Sequence, residues 1–288
     1  MTNIKKYLLA FGAYVPQLLF AQVIGNNGIV DSTMLVCNYT IRQCQDTISR
    51  EKPSYQTYDF ILEIGHTTSK YYNTSTDKYQ RMKADPKLFS IYAAELQQAL
   101  EKSDNHTLNF KPLALDYPLV VYTNYPQGKR TIQNVLITDH YIYTEDAVPQ
   151  EWSITSDTLT ILGYNCHKAT CNYRGRKYEA WFTIDIPIDK GPWKFLGLPG
   201  LILKVQDSKQ HYIFELQSIK SETKPIEYIE YKGRKYTIID RKKLLKMEAK
   251  MNNMGVERYT QMSVSGDVSK TPLNKNEHNY DLLEKDYR

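Results

Sequence analysis

The sequence predicts a mainly β protein: a strongly curved antiparallel sheet or open half-barrel with one inserted α-helix and a short C-terminal helix. Three observations point there. Short segments alternating apolar and polar residues recur along the chain, punctuated by Gly, Pro, Asn and Asp. The 24 Tyr against 8 Phe and 3 Trp supply amphipathic rings suited to sheet faces and rims. Helical spacing with a start signal is confined to two stretches.

Taken in order, Val30 to Ile41 alternates with Leu35, Cys37, Tyr39 and Ile41 on one side, a first strand. Residues 42 to 54 are a polar loop ending in Lys52-Pro53-Ser54. Tyr58, Phe60, Leu62 and Ile64 alternate strongly, Gly65-His66 breaks the strand, and Ser69 to Tyr72 resumes briefly. Asp85 then stands as an N-cap before Pro86 at the first helical position. Leu88, Phe89, Tyr92, Leu96, Ala99 and Leu100 share one helical face, which predicts core packing over the sheet.

Strand signals return at 119–122, 131–137, 141–144, 152–154 and 159–162. A hairpin follows, Tyr164 to Tyr173, turning at Arg174-Gly175 into Arg176 to Ile186. Leu201, Leu203 and Val205 alternate again, 211–219 returns, and 226–231 and 236–239 flank Lys232-Gly233. Asp240 caps a basic helix to about Met251. From residue 252, Asn, Ser, Lys and Gly predominate, the composition of a loosely held tail.

The first 21 residues have a basic start (Lys5, Lys6), an apolar run from Tyr7 to Phe20, and the small Ala21, the pattern of a secretory signal peptide. Gly12 and Pro16 interrupt the run, which is short for a membrane span. No later stretch is long and apolar enough, so no transmembrane segment is expected in the mature chain. Removing 21 of 288 residues leaves 267, and losing the two lysines lowers the formal charge from +5 to +3. That bias is too weak for a nucleic-acid partner. Lys129-Arg130 and Arg174 to Lys177 read as ordinary basic surface turns. No repeat or linker divides residues 22–251, which read as a single domain followed by the tail 252–288.

The central stretch, Tyr178 to Asp207, carries the strongest signal. Tyr178, Ala180, Phe182, Ile184 and Ile186 alternate with polar residues until Pro187, which cannot continue a ladder. Gly191-Pro192-Trp193 and Leu198-Pro199-Gly200-Leu201 follow. Pro199 and Gly200 suit the two central positions of a type II turn. The run Gly197-Leu198-Pro199-Gly200-Leu201-Ile202 resembles, letter for letter, the signature of the GLPGLI family of bacterial envelope proteins. Its context is similar too: Gly163-Tyr164, Cys166, Lys168-Ala169, Gly175-Arg176, Ala180-Trp181, Asp185-Ile186-Pro187 and Gly191-Pro192-Trp193. Leu62-Glu63-Ile64-Gly65 with Ser69-Lys70-Tyr71, and the segment Asn279 to Glu284, add a thinner likeness; the last lacks a proline that the family often has. The resemblance implies an exported protein of a Gram-negative bacterium, periplasmic or associated with the outer membrane, with no established activity. By analogy, the strand pattern resembles the half-barrels of lipoprotein carriers and related periplasmic lipid-binding proteins. The signature itself reads as a turn that sets sheet geometry rather than as a ligand site.

Four cysteines, Cys37, Cys44, Cys166 and Cys171, form an even set in an exported chain and are disulfide candidates. Pairing between the first strand and the central hairpin would close a loop of over 100 residues, worth about 4 to 5 kcal/mol in a chain-entropy picture. Local pairing of Cys37 with Cys44 stays open. Cys166, His167 and Cys171 also form the sole Cys/His cluster, without standard metal-ligand spacing. Nucleophile elbows, zinc-protease motifs, phosphate loops and dinucleotide fingerprints are absent from the sequence. No cofactor is implied. Asp185 and Asp189 could pair as carboxylates, and Trp181 and Trp193 are the ligand-binding candidates, with packing as their alternative role.

These readings support a non-enzymatic envelope protein that binds a hydrophobic or peptidic ligand (a lipid, a peptide or an outer-membrane protein) or serves an outer-membrane system. A secreted hydrolase using scattered His and carboxylates, and a metal-binding protein using Cys166, His167 and Cys171, are the alternatives.

Overall fold

Strand β1, Gly28–Cys44, is the spine of the sheet. Its seventeen residues are longer than one partner can cover. It pairs with β2 (Tyr55–Gly65) along most of its length, with β11 (Tyr212–Lys220) over its second half and with β12 (Pro225–Tyr228) over its first turn-free residues. Register breaks at Ile29/Asp31, Thr33/Leu35 and Asn38/Tyr39 bend it, as bulges do. The computed structural model describes residues 28–47, 53–101, 117–136, 139–229, 236–254 and 281–287. The expected signal peptide, residues 1–21, lies outside them.

Outward from β1 on one side run β2, β3 (Ser69–Asn73), β4 (Leu119–Thr123), β5 (Lys129–Leu136), β6 (Asp139–Asp146) and β13 (Thr237–Ile238). On the other side run β11, β10 (Leu201–Asp207), β9 (Arg176–Thr183), β8 (Tyr164–Tyr173) and β7 (Ser153–Ile161). All neighbours are antiparallel except β13, which lies parallel to β6. The sheet is open: β7 forms one edge and β13 the other. The expected mainly β architecture therefore holds, as a large open sheet with a few helices. The two segments expected at 152–154 and 159–162 are one strand, β7, whose register breaks between Ile154 and Thr158.

Among the described residues, three helices accompany the sheet. Helix α1 (Thr74–Ala84) has no apolar stripe; Asn73 caps it by accepting from Thr76 N–H at 2.9 Å, and Arg81 reaches back to Asp77 at 2.7 Å. Helix α2 (Pro86–Glu101) starts where expected, with Asp85 Oδ1 accepting from Lys87 N–H at 2.8 Å. Of its expected core face, Leu88 and Phe89 are exposed, and α2 packs on α1. The excursion is two helices, not one. Helix α3 (Arg241–Met254) is capped by Asp240 Oδ1, which accepts from Lys243 N–H at 3.0 Å. Among the described residues no helix is long and apolar enough to cross a membrane.

The main core lies on the inner face of the sheet. Tyr39, Phe60, Tyr71, Tyr178 and Phe214 project into it from the strands, and Trp193, Phe195 and Leu198 enter from the loop between β9 and β10. A smaller core of Tyr72, Val120, Tyr122, Ile142 and Tyr228 fills the opposite face.

Candidate functional site

The loop between β9 and β10, residues 184–200, folds back over the face of the sheet that carries the main core. Ile186 O accepts from Leu201 N–H at 3.0 Å, and Lys190 O accepts from Ile202 N–H at 3.0 Å, pinning the loop's start to its end. Pro192 O accepts from Phe195 N–H at 3.2 Å, a tight turn in which Trp193 takes φ 56°. A non-glycine residue in that region is strained by roughly 1–2 kcal/mol. Burial offsets it: the Trp193 indole packs edge-on to Tyr173 at 5.7 Å and to Phe195 at 5.2 Å. Trp193 is therefore core. Trp181 is half-buried on the other face of β9, with Lys168 Nζ 5.9 Å above its ring.

The signature residues divide by role. Leu198, Leu201 and Ile202 are buried, while Gly197 and Pro199 are exposed. Gly197 takes φ 93°, which requires glycine. Gly200 differs from the expected type II turn: its φ is not in the left-handed region. Glycine is needed there because a Cβ would sit 1.9 Å from Thr183 O. The Pro-Gly corner is a site of close backbone approach between the loop's end and the end of β9.

The turn at Trp193 drives the next side chain, Lys194, into the interior, where it has no exposure. Its Nζ donates to Glu284 Oε1 at 2.5 Å and to Tyr143 OH at 3.1 Å, and lies 3.0 Å from Glu145 Oε1. Its backbone carbonyl accepts from Arg130 at 3.0 Å and Gln150 at 3.2 Å. Arg174 donates to Glu145 Oε2 at 2.7 Å. Arg241 donates to Glu284 Oε2 at 2.5 Å and grips both oxygens of Asp286 at 2.8 Å. Burial disfavours the Lys194 ammonium, but Glu284, Tyr143 and Glu145 outweigh it and push its pKa up. Burial likewise opposes the Glu145 carboxylate, and Lys194, Arg174 and Arg130 hold its pKa down regardless. Each charge is thus stabilised by its neighbours in a region from which water is largely excluded.

The tail expected to be loosely held contributes to this cluster. Leu282, Leu283 and Glu284 are buried. The Arg176 guanidinium donates to Leu282 O at 2.6 Å, to Leu283 O at 3.1 Å and to Asp281 O at 3.1 Å, and also pairs with Asp207 at 3.0 Å. Composition suggested looseness; the buried arginine fixes the segment through its backbone. Residues 255–280 lie outside the described residues. The Arg174-Gly175 turn, with φ 51° and 78°, is the two-residue hairpin expected, and Arg174 O accepts from Lys285 N–H at 2.8 Å. Arg130 and Arg176, read from sequence as surface, are 1% and 6% exposed.

A second buried lysine, Lys70 of β3, lies 3.7 Å from Asp77, with its Nζ 4.6 Å from the Tyr72 ring centroid. Burial lowers its pKa against the pull of Asp77 and Glu63. Glu63, its cross-strand neighbour, is engaged by Tyr72 OH and Lys224, each at 2.8 Å.

The cysteines do not pair: all four are buried free thiols. The reason is spacing. Seven residues along β1 or five along β8 span roughly 17–23 Å, and β1 and β8 are separated by β11, β10 and β9. A disulfide needs Cα atoms within about 7 Å. Burial pushes Cys37 and Cys171 up to about 12 and Cys166 up to about 11. The Cys166, His167 and Cys171 cluster is not assembled either. Among the described residues no three His, Cys, Asp or Glu side chains are placed to share a metal ion. His167 packs near Phe182 at 5.9 Å. Asp185 is exposed, and Asp189 pairs with Lys190 at 2.6 Å.

Sequence reasoning missed Lys194, Glu145, Arg130 and Arg241. The available signal was a lysine and two hairpin arginines inside otherwise apolar or turn motifs.

A family described as a protein of unknown function (Porph_ging) matches residues 174–204. That span begins at the hairpin turn and ends in β10, so it covers the pinned loop, and it is consistent with a GLPGLI-type family. No curated protein matches the chain. Two solved structures of PNGF-II, in P21 and C2 space groups, are similar at 18% identity over 77% of this chain, with TM-scores of 0.47 and 0.44. The chain spans about a third of their length, 34% and 33%.

Proposed function

We propose that this is an exported, non-catalytic envelope protein that holds a peptide or protein partner against its outer surface, as an accessory to an outer-membrane system. One observation carries the reading. The main core is packed by the chain's own Trp193, Phe195 and Leu198, and the ionic cluster around Lys194 beside it is internally paired. Family-like residues thus serve as scaffold, which supports an outer rather than an inner working surface and weighs against a lipid held on the core face. The basic-apolar start of the chain supports export, and burial shields the four thiols in an oxidising compartment.

The test is cross-linking in intact cells, followed by mass spectrometry of the purified protein. A specific protein or peptide adduct is expected. A copurifying lipid without any protein adduct, or turnover of an ester or peptide substrate, would overturn the proposal.

A further inference from the structure

The two edges of the sheet are treated differently. At one, the chain's own Thr237–Ile238 lies against Tyr141 and Ile142 of β6 as a two-residue parallel strand. At the other, β7 pairs with β8 on one side and, among the described residues, with nothing on the other. Eight of its nine residues are exposed. Its sequence, SITSDTLTI, contains neither the Pro nor the Lys that commonly protects a free edge.

The register identifies which backbone groups are on offer. Leu162 and Gly163, at φ 51° and 84°, form a two-residue turn of the type whose flanking residues exchange both hydrogen bonds. Ile161 and Tyr164 flank it. Alternation along an antiparallel ladder then makes Leu159 and Cys166 the next bonded pair. Thr158 and Thr160 therefore turn their N–H and C=O groups toward the open edge. Leu159 and Leu162 are exposed beside them, at 43% and 53%. Asp157, with a side chain 60% exposed, accepts from Thr155 Oγ1 at 3.1 Å and lies 3.9 Å from Lys168.

We infer that the Thr158–Ile161 edge is a β-augmentation site for an extended segment of a different protein, rich in β-branched or apolar residues and carrying a cation opposite Asp157. This rests on the peptide-binding reading above and gives it a location. A second copy of this chain fits less well. Regular pairing before the break at Asp157 covers about 13 Å of strand, which buries far less than the roughly 800 Å² per partner of a stable dimer. Antiparallel self-pairing centred on Thr158–Ile161 would set Asp157 opposite Leu162 and supply no cation for it. A heterologous strand can instead supply the opposite charge and continue over Leu159 and Leu162.

The experiment uses the full chain and a phage-displayed random peptide library. Selected peptides are expected to alternate β-branched residues, to protect the Thr158 and Thr160 amides from hydrogen exchange, and to bind T158P and T160P at least tenfold more weakly. T160V, which keeps the backbone donor, should bind as the unaltered chain does. Circular dichroism and melting show whether the proline variants keep the fold, and the amide-exchange readout needs no variant. Peptides that bind T160P undiminished, or a concentration-dependent dimer lost in T160P, overturn the edge assignment. If the partner cross-linked in cells persists on T160P, the edge fails while the accessory reading stands. If neither library nor cells yield a binder, both fail.

Discussion

Lys194 Nζ lies 2.5 Å from Glu284 Oε1, an ion pair that joins the signature loop to a segment 90 residues away. Around it, Lys194, Arg130, Arg174 and Arg241 face Glu145, Glu284 and Asp286, a set with one positive charge in excess. That imbalance orders two mutations. E284Q raises the excess and strips a fully buried lysine of its shortest partner, so it should cost about 3–5 kcal/mol. K194M removes the excess, leaves both glutamates with arginines, and should cost about 1–3 kcal/mol. Urea denaturation of both variants checks the order, and a larger loss for K194M would refute it.

Gly200 and Gly163 separate two uses of glycine. A Cβ at Gly200 would meet Thr183 O at 1.9 Å, whereas Gly163, at φ 84°, has nothing within 4 Å. G163A should cost about 1 kcal/mol through backbone strain alone. G200A must push β9 from the loop and should cost at least about 3 kcal/mol, or leave the chain unfolded. Thermal melts of the pair decide, and equal losses would mean that steric approach is not the constraint.

Much of this was legible from period and punctuation. The hairpin from Tyr164 through Arg174-Gly175 to β9 reads directly, because turn chemistry and alternation are local. Asp85 and Asp240 marked two helix starts for the same reason. Helix α1 was not visible, since Thr74 to Ala84 has no apolar stripe and is held by a cap and by Arg81, whose second partner, Glu227, is remote. Lys194 was invisible as a buried group because its counter-charges come from Tyr143–Glu145 and Glu284, and no local pattern announces them. Gly200 was assigned the wrong reason, since the carbonyl it must accommodate belongs to another strand.

The thiols give a third prediction. With Cys37, Cys44, Cys166 and Cys171 all buried and unpaired, native protein should react with almost no Ellman's reagent, and denatured protein with four equivalents. Reducing agent should leave the melting temperature unchanged. A reductant-sensitive melt would instead reveal a cross-link.

Stability should also fall between about pH 4.5 and pH 7 and level off above it. Glu248 is half-buried on α3, and burial, reinforced by the Glu284 charge, raises its pKa from 4.5 to about 7. An acid whose folded pKa is raised stays protonated while the unfolded chain ionises. Its contribution is fully present below pH 4.5 and is lost as pH rises through 7, by at most about 3 kcal/mol. E248Q should flatten that decline. Denaturation midpoints at pH 5 and pH 8 test it, and a wild-type profile as flat as the variant's would rule it out.

The docked segment 281–287 also sets a condition on synthesis. Until Glu284 has left the ribosome, a nascent chain already holding the loop has no route to its shortest counter-charge for Lys194, and Arg176 lacks the carbonyls it grips. The sheet can zip strand by strand, but its interior locks only when residues 281–287 arrive. Removing those few residues should therefore yield not a shorter version of the molecule but one arrested before its last folding step.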